Sequence, residues 1–289
     1  MKWEFIGTLL QASKKEKVNQ GINWECPNLL PLKSPGFGTD SQWLALISVQ
    51  PTHQVIYALG SIENGKFYPN HWNYLDFSNI FYATNVFHGV NDRHLVIGWI
   101  KGGGTGGWDG CLSLVREIYL NSNGELCQHP ANEYKQMRKH EYSFSASELK
   151  PNVVIPNVIS DLAEILISFS GLINLQNGRI GLKIIKDQFT VPITYDFKSQ
   201  KITCGDQVAS IPKAELIDAN YSLTLNIFFD RSIIEVFLNE KFCITCRCYP
   251  NDFTNEKKWD GFILMENLPY QHSYIKKFIV WELNLPNDK

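Results

Sequence analysis

Apolar residues along this chain come in short runs with the spacing of strands. SQWLALISV (41–49) and HQVIYALGS (53–61) are two such runs, separated by Pro51, and each has the length of a buried strand. The second is followed by Asn64-Gly65, the dipeptide that two-residue hairpins favour, so a hairpin is predicted there. RHLVIGWI (93–100) and CLSLVREIYL (111–120) predict two more strands, and a second turn at Asn123-Gly124 leads into GELCQHP. Strands at this spacing predict a propeller or a sandwich.

The pattern changes near residues 140–160, where EYSFSASELKPNVVIPNVISD carries prolines and serines without strong periodicity. A linker at 141–160 is predicted, dividing a first domain (1–140) from a second (161–289). The second contains LAEILISFS, GRIGLKIIK, FTVPITYDF, KITCG, SLTLNIFFD, SIIEVFL, CITCRCYP and YIKKFIVWEL. Eight strand candidates with few helical segments predict a β-sandwich. Pro192 predicts an edge strand for its run.

Composition narrows the function classes. With 289 residues, 44% hydrophobic and 19% charged, the chain can bury a sizeable core. A net charge of −2 with no basic run argues against nucleic acid. Lys14, Lys15 and Lys17 surround Glu16 and read as a solvated loop. No stretch approaches the roughly 18 apolar residues of a membrane span. MKWEFIGTLL lacks the apolar core and cleavage site of a signal peptide, so a cytoplasmic location is expected. Seven cysteines, three of them (Cys243, Cys246, Cys248) on one short run, suit a reducing compartment. Without secretion the sequon at Asn220-Tyr221-Ser222 carries no meaning.

Most chemical motifs fail on inspection. KGGGTGGWDG (101–110) has no closing Gly-Lys-Ser/Thr and no following helix, so it reads as an inter-strand loop. There is no G-x-S-x-G elbow. The seven histidines lack metal-ligand spacing and the clustered cysteines lack a second ligand pair, so no metal is expected. Carboxylates and aromatics remain, the ingredients of a sugar site. Among the carboxylates, Glu25 draws notice inside INWECPNLL (22–30), a stretch that otherwise reads as apolar strand and turn.

Trp24-Glu25-Cys26-Pro27-Asn28 resembles the W-E-C-P-D signature of glycoside hydrolase family 32, the β-fructosidases such as invertase and sucrose-6-phosphate hydrolase. Further segments follow in that family's order. Leu75-Asp76 and Phe81-Tyr82-Ala83 resemble L-D-x-G-x-D-F-Y-A, and Arg93 to Trp99 resembles R-x-L-x-x-G-W. Gly107-Trp108-Asp109-Gly110 with Ser113 to Glu117 resembles the G-W-A-G and S-L-P-R-E pair, and Pro130 to Arg138 the P-x-x-E-L-x-x-L-R lead-in. Asp230-Arg231-Ser232, Glu235-Val236-Phe237, Asn239, Thr245, Arg247, Tyr249 and Pro250 resemble its late sandwich strands.

The resemblance implies an all-β chain holding the last blades of a five-bladed β-propeller followed by a β-sandwich. It implies retaining hydrolysis of sucrose or a related fructoside, with Glu25 as the general acid and no cofactor, since the two-carboxylate mechanism needs none. A proton donor must stay protonated near neutral pH, which apolar neighbours favour, and Trp24, Cys26 and Pro27 flank it. Trp24, Asp76, Tyr82 and Trp99 are the expected sugar-site residues.

Departures from the family pattern shape the functional expectation. The W-M-N-D-P-N-G motif that carries the family's nucleophile does not occur in these 289 residues, and neither does its R-D-P motif. MKWEFIGTLL resembles a mid-propeller strand of the family, so an N-terminally truncated relative, inactive alone, is expected. Ser78, Ile80 and Val115 replace the family's Gly, Asp and Pro. Ile80 removes a polar group expected near the sugar. The alternative is a non-catalytic remnant, or a carbohydrate-binding subunit completed by a separately encoded N-terminal half or by self-association.

Overall fold

The computed structural model describes residues 2–13, 16, 18–33, 42–90, 93–102, 107–145, 148–149, 154–186, 189–248, 258–267 and 274–284. Lys14, Lys15 and Lys17, residues 103–106 of the glycine-rich loop, and Tyr249 and Pro250 lie outside them. The chain divides into two compact units, with the division at Cys127/Gln128.

The first unit begins with a four-stranded antiparallel meander of β1 (Asn23–Leu32), β2 (Gln42–Gln50), β3 (Gln54–Glu63) and β4 (Lys66–Tyr74), in that spatial order. The Asn64-Gly65 hairpin forms as predicted, with Glu63 paired to Lys66 and both turn residues at positive φ (52° and 73°), the type I′ signature. β2 reads as a continuous apolar run because both of its faces are buried. One face joins Ala45, Ile47 and Val49 to Ile56, Ala58, Phe67 and Trp72.

A second sheet holds β5 (Phe81–Val90), β6 (Arg93–Ile100), β7 (Cys111–Leu112), β8 (Arg116–Leu120) and β9 (Leu126–Pro130). The run 111–120, expected as one strand, breaks at Ser113. The Ser113 hydroxyl accepts the Gly98 N–H at 2.9 Å and donates to the Leu114 carbonyl at 2.8 Å, which competes with ladder pairing. MKWEFIGTLL makes no strand in its described part. Its Leu9 carbonyl accepts one hydrogen bond from Phe67, and Trp3, Phe5 and Ile6 are 89%, 85% and 96% exposed.

The second unit contains β10 (Arg138–Phe144), β11 (Val154–Ser160), β12 (Leu162–Phe169), β13 (Arg179–Lys186), β14 (Phe189–Asp196), β15 (Lys201–Cys204), β16 (Gln207–Ser210), β17 (Leu223–Asp230), β18 (Ile233–Leu238), β19 (Phe242–Arg247), β20 (Lys258–Asn267) and β21 (Ile275–Leu283). They form two six-stranded sheets, ordered β10-β21-β12-β17-β18-β19 and β11-β20-β13-β14-β15-β16. The sheets bury facing side chains against each other: Phe262 meets Phe278 edge-on at 4.9 Å.

Two expectations change here. The stretch 141–160, expected as a linker, carries most of β10 and all of β11. Their partners are β21 and β20, strands near the other end of the chain, so no local pattern announces them. Arg138 fixes β10 in place by a bidentate pair to Glu164 at 2.6 and 2.7 Å, over the Trp281 ring at 3.8 Å. Pro192 lies on an inner strand, since β14 pairs with both β13 and β15. It is tolerated because the β14–β15 pairing ends at Ile193 and Cys204. On that side the Pro192 carbonyl takes the turn N–H of Gly205, and no N–H is required of the proline.

Candidate functional site

Glu25 and Tyr82 are brought together by two β-bulges. In β1 the register moves from Glu25↔Ser48 to Asn28↔Leu46, so that Cys26 and Pro27 together oppose Ile47. Cys26 takes φ +47°, and Pro27 stands where the interrupted ladder asks least for an N–H. In β5 the register moves from Tyr82↔Trp99 to Asn85↔Ile97, with Ala83 at φ +49°. Gly98 opposes that bulge, and a Cβ there would come within 2.6 Å of the Phe81 ring. The Asn28 side-chain amide donates to the Cys26 carbonyl and the Thr84 carbonyl, both at 3.0 Å, pinning one bulge to the other. Bulges of this kind re-aim side chains.

The result is a polar cradle around one half-buried carboxylate. Tyr82 donates its phenolic O–H to Glu25 Oε2 at 2.9 Å, and Gln50 Nε2 donates to the same oxygen at 3.3 Å. Asn23 Nδ2 reaches Oε1 at 3.2 Å, leaving Oε1 with a single donor while Oε2 has two. The His53 ring stands edge-on to Tyr82, centroids 5.5 Å apart. Burial, and then the hydrogen bond to the Glu25 carboxylate, hold the Tyr82 phenol above its usual range, so it remains a donor wherever the fold persists. The apolar neighbours expected of Glu25 are replaced by these donors, because Cys26 and Pro27 point to solvent.

The other expected site residues divide. Trp99 stands directly across the ladder from Tyr82, and Gly110 packs so close to its indole that a Cβ would meet Nε1 at 1.9 Å. Trp24 alternates to the other face of β1. It donates Nε1–H to the Gln20 carbonyl at 2.7 Å and packs on Trp72 at 6.1 Å. Asp76 is fully buried, bound to Arg116 Nη2 at 2.8 Å and to the Ser78 N–H at 2.9 Å. The Arg116 guanidinium lies 3.9 Å over the Phe81 ring. Sequence reading did not single out Gln50, Asn23, His53 or Arg116. Only Arg116 carried a signal, its place in the Ser113–Glu117 segment. Among the described residues no group of three or more His, Cys, Asp or Glu side chains could hold a metal ion, and no helix is long and apolar enough to cross a membrane.

Replacing Tyr82 by Phe removes one donor from the Glu25 carboxyl. The expected cost is about 1–2 kcal/mol, read as a lower midpoint in urea unfolding. An unchanged midpoint would show that the contact contributes nothing to the fold.

Comparison with known proteins gives the chain's family and fold. The model of the glycosyl hydrolases family 32 N-terminal domain matches residues 1–130, and that of the family 32 C-terminal region matches residues 133–281. A sucrose-6-phosphate hydrolase of Vibrio alginolyticus is 28% identical over 275 residues, covering 86% of this chain and 52% of that enzyme. The sucrose-6-phosphate hydrolase of Escherichia coli is 25% identical over 274 residues, with 86% and 53% covered. The fold is shared with the exo-inulinase of Aspergillus awamori, at TM-score 0.73 and 19% identity, over 90% of this chain and 57% of that one. The chain spans about half the length of the curated relatives it matches.

Proposed function

The chain belongs to glycosyl hydrolases family 32, and from that premise we propose that it supplies the acid half of a retaining fructosidase site. Its two meanders are read as the last blades of a five-bladed propeller and its two six-stranded sheets as the β-sandwich. Sucrose or a related fructoside is the substrate class, as the names of the relatives suggest.

The carrying observation is the contact of Tyr82 with Glu25 at 2.9 Å, set by paired bulges. In the reaction Glu25 gives its proton to the glycosidic oxygen as the bond to fructose breaks. A second carboxylate attacks the anomeric carbon, and Glu25 then takes a proton from the water that releases the sugar. Tyr82 and Gln50 fix Oε2, which turns the less engaged Oε1 towards the substrate. Trp99 borders the sugar. Trp24 and Asp76, by their partners, hold the framework rather than the ring.

A retaining pair needs two carboxyl groups about 5 Å apart. The nucleophile is proposed to come from outside these 289 residues, since the motif that carries it in the family does not occur within them.

Fructose release from sucrose and from a fructan tests the reading. Residues 1–289 alone are expected to give none. Co-expression with the N-terminal half of a relative, carrying W-M-N-D-P-N-G and R-D-P, is expected to give turnover. Release by the chain alone that survives Glu25→Gln would end the acid assignment. Release that Glu25→Gln abolishes would keep Glu25 and place the second carboxylate within the chain.

A further inference from the structure

Among the cysteines, Cys204 at the end of β15 and Cys246 in β19 belong to different sheets of the second unit. Their sulfurs stand 3.0 Å apart and both residues are fully buried. The approach depends on Gly205, which turns at φ +58°; a Cβ there would come within 2.9 Å of Cys246 Sγ. About 1 Å of closure separates this contact from a covalent bond. Cys248, two residues on from Cys246, is a poorer partner. Burial first, then the charges of Cys246 and Asp206, hold its thiol well above the usual range, and no contact of its sulfur with Cys204 or Cys246 matches the 3.0 Å approach of that pair.

We propose that Cys204 and Cys246 form a redox pair that a low-molecular-weight disulfide converts into a bond between the two sheets. One thiol loses its proton and its thiolate attacks a sulfur of the reagent, releasing one reagent thiolate and leaving a mixed disulfide. The other, as thiolate, displaces the second reagent thiolate and completes the Cys204–Cys246 bond. Two protein thiols are oxidised and one reagent disulfide is reduced to two thiols. Burial makes reaction wait on local opening at the end of β15, where the turn at Gly205 begins. In a glutathione-reduced compartment the pair stays as thiols; in an oxidising one it closes a long loop and restrains the unfolded chain.

The test uses the whole chain, equilibrated with oxidised glutathione or with dithiothreitol, then denatured and alkylated with N-ethylmaleimide. After dithiothreitol all seven cysteines should be alkylated. After oxidation the bonded two should be lost from those seven, leaving five, and peptide mapping should find Cys204 joined to Cys246. The Tm should rise by roughly 10 °C on oxidation and return on reduction. Cys204→Ala and Cys246→Ala should abolish both effects. If either variant fails to fold, mass and Tm of the oxidised and reduced wild type still decide. Full alkylation after oxidation, glutathione adducts in place of the bond, another pairing such as Cys246 with Cys248, or a Tm that does not rise would each overturn the proposal.

Discussion

Asp76→Ala is expected to destabilise the first compact unit by about 3–5 kcal/mol, lowering its Tm by roughly 10 °C or more. Both side chains of the Asp76–Arg116 pair have no solvent exposure, and they meet at 2.8 Å. Removing the carboxylate strands a guanidinium charge where water does not reach. The contact with the Phe81 ring at 3.9 Å adds to the packing but cannot replace an anion. Breaking the pair and replacing it therefore have different consequences. Asp76→Leu combined with Arg116→Met should recover most of the loss, since a buried ion pair exchanged for apolar groups of similar volume is often neutral. The pair Arg93–Glu117, at 2.7 Å and only partly buried with side chains 22% and 18% exposed, provides the contrast. Glu117→Ala should cost no more than about 1 kcal/mol. Calorimetry on the three variants checks the account, and equal losses for Asp76→Ala and Glu117→Ala would refute it.

The same pair shows where sequence reading stops. Asp76 carried the family pattern, but nothing in that pattern announces a partner 40 residues on, in β8. Register between strands, which decides who faces whom, has no local signature unless a turn fixes it. The hairpin at Asn64-Gly65 was legible because the dipeptide itself carries the positive φ values. Most of the long apolar runs were legible because burial on both faces leaves few polar interruptions. β10 and β11 were not, since their neighbours lie at the other end of the chain. Pro192 misled for a related reason. Whether a strand needs an N–H at one position depends on where its neighbour ends, and β15 ends just short of Pro192.

Glu25 was singled out from its short motif, but the reason it can meet Tyr82 was not readable there. The bulges that turn the two side chains together look, in the sequence, like Cys26-Pro27 and Ala83-Thr84, pairs with no common composition. What they share is two residues opposing one, with the first at positive φ. Asn28 then holds the second bulge by its carbonyl. In this chain the motif marks backbone irregularity as much as side-chain chemistry, and Trp24, next to Glu25, packs against Trp72.

On the proposed function, Glu25→Gln is expected to remove most hydrolysis of sucrose once a second carboxylate is supplied, a loss of about 10²–10⁴-fold. Glutamine has nearly the same shape, and its amide oxygen can still accept the Tyr82 hydrogen bond, so the cradle should persist and Tm should change little. What the amide cannot do is release a proton to the departing oxygen. That deficit has a chemical signature that a merely structural role lacks. The leaving group of sucrose is a sugar alkoxide, which is a poor leaving group without protonation. A fructosyl fluoride departs as fluoride and needs far less help, so on that substrate the deficit should shrink to about tenfold or less. Tyr82→Phe should lie between the two: the proton remains available but its carboxyl is less well aimed, so the loss on sucrose should be smaller than that of Glu25→Gln. An equal deficit for Glu25→Gln on both substrates would mean that Glu25 shapes the site without donating, and full sucrose turnover in the variant would place the acid on another residue.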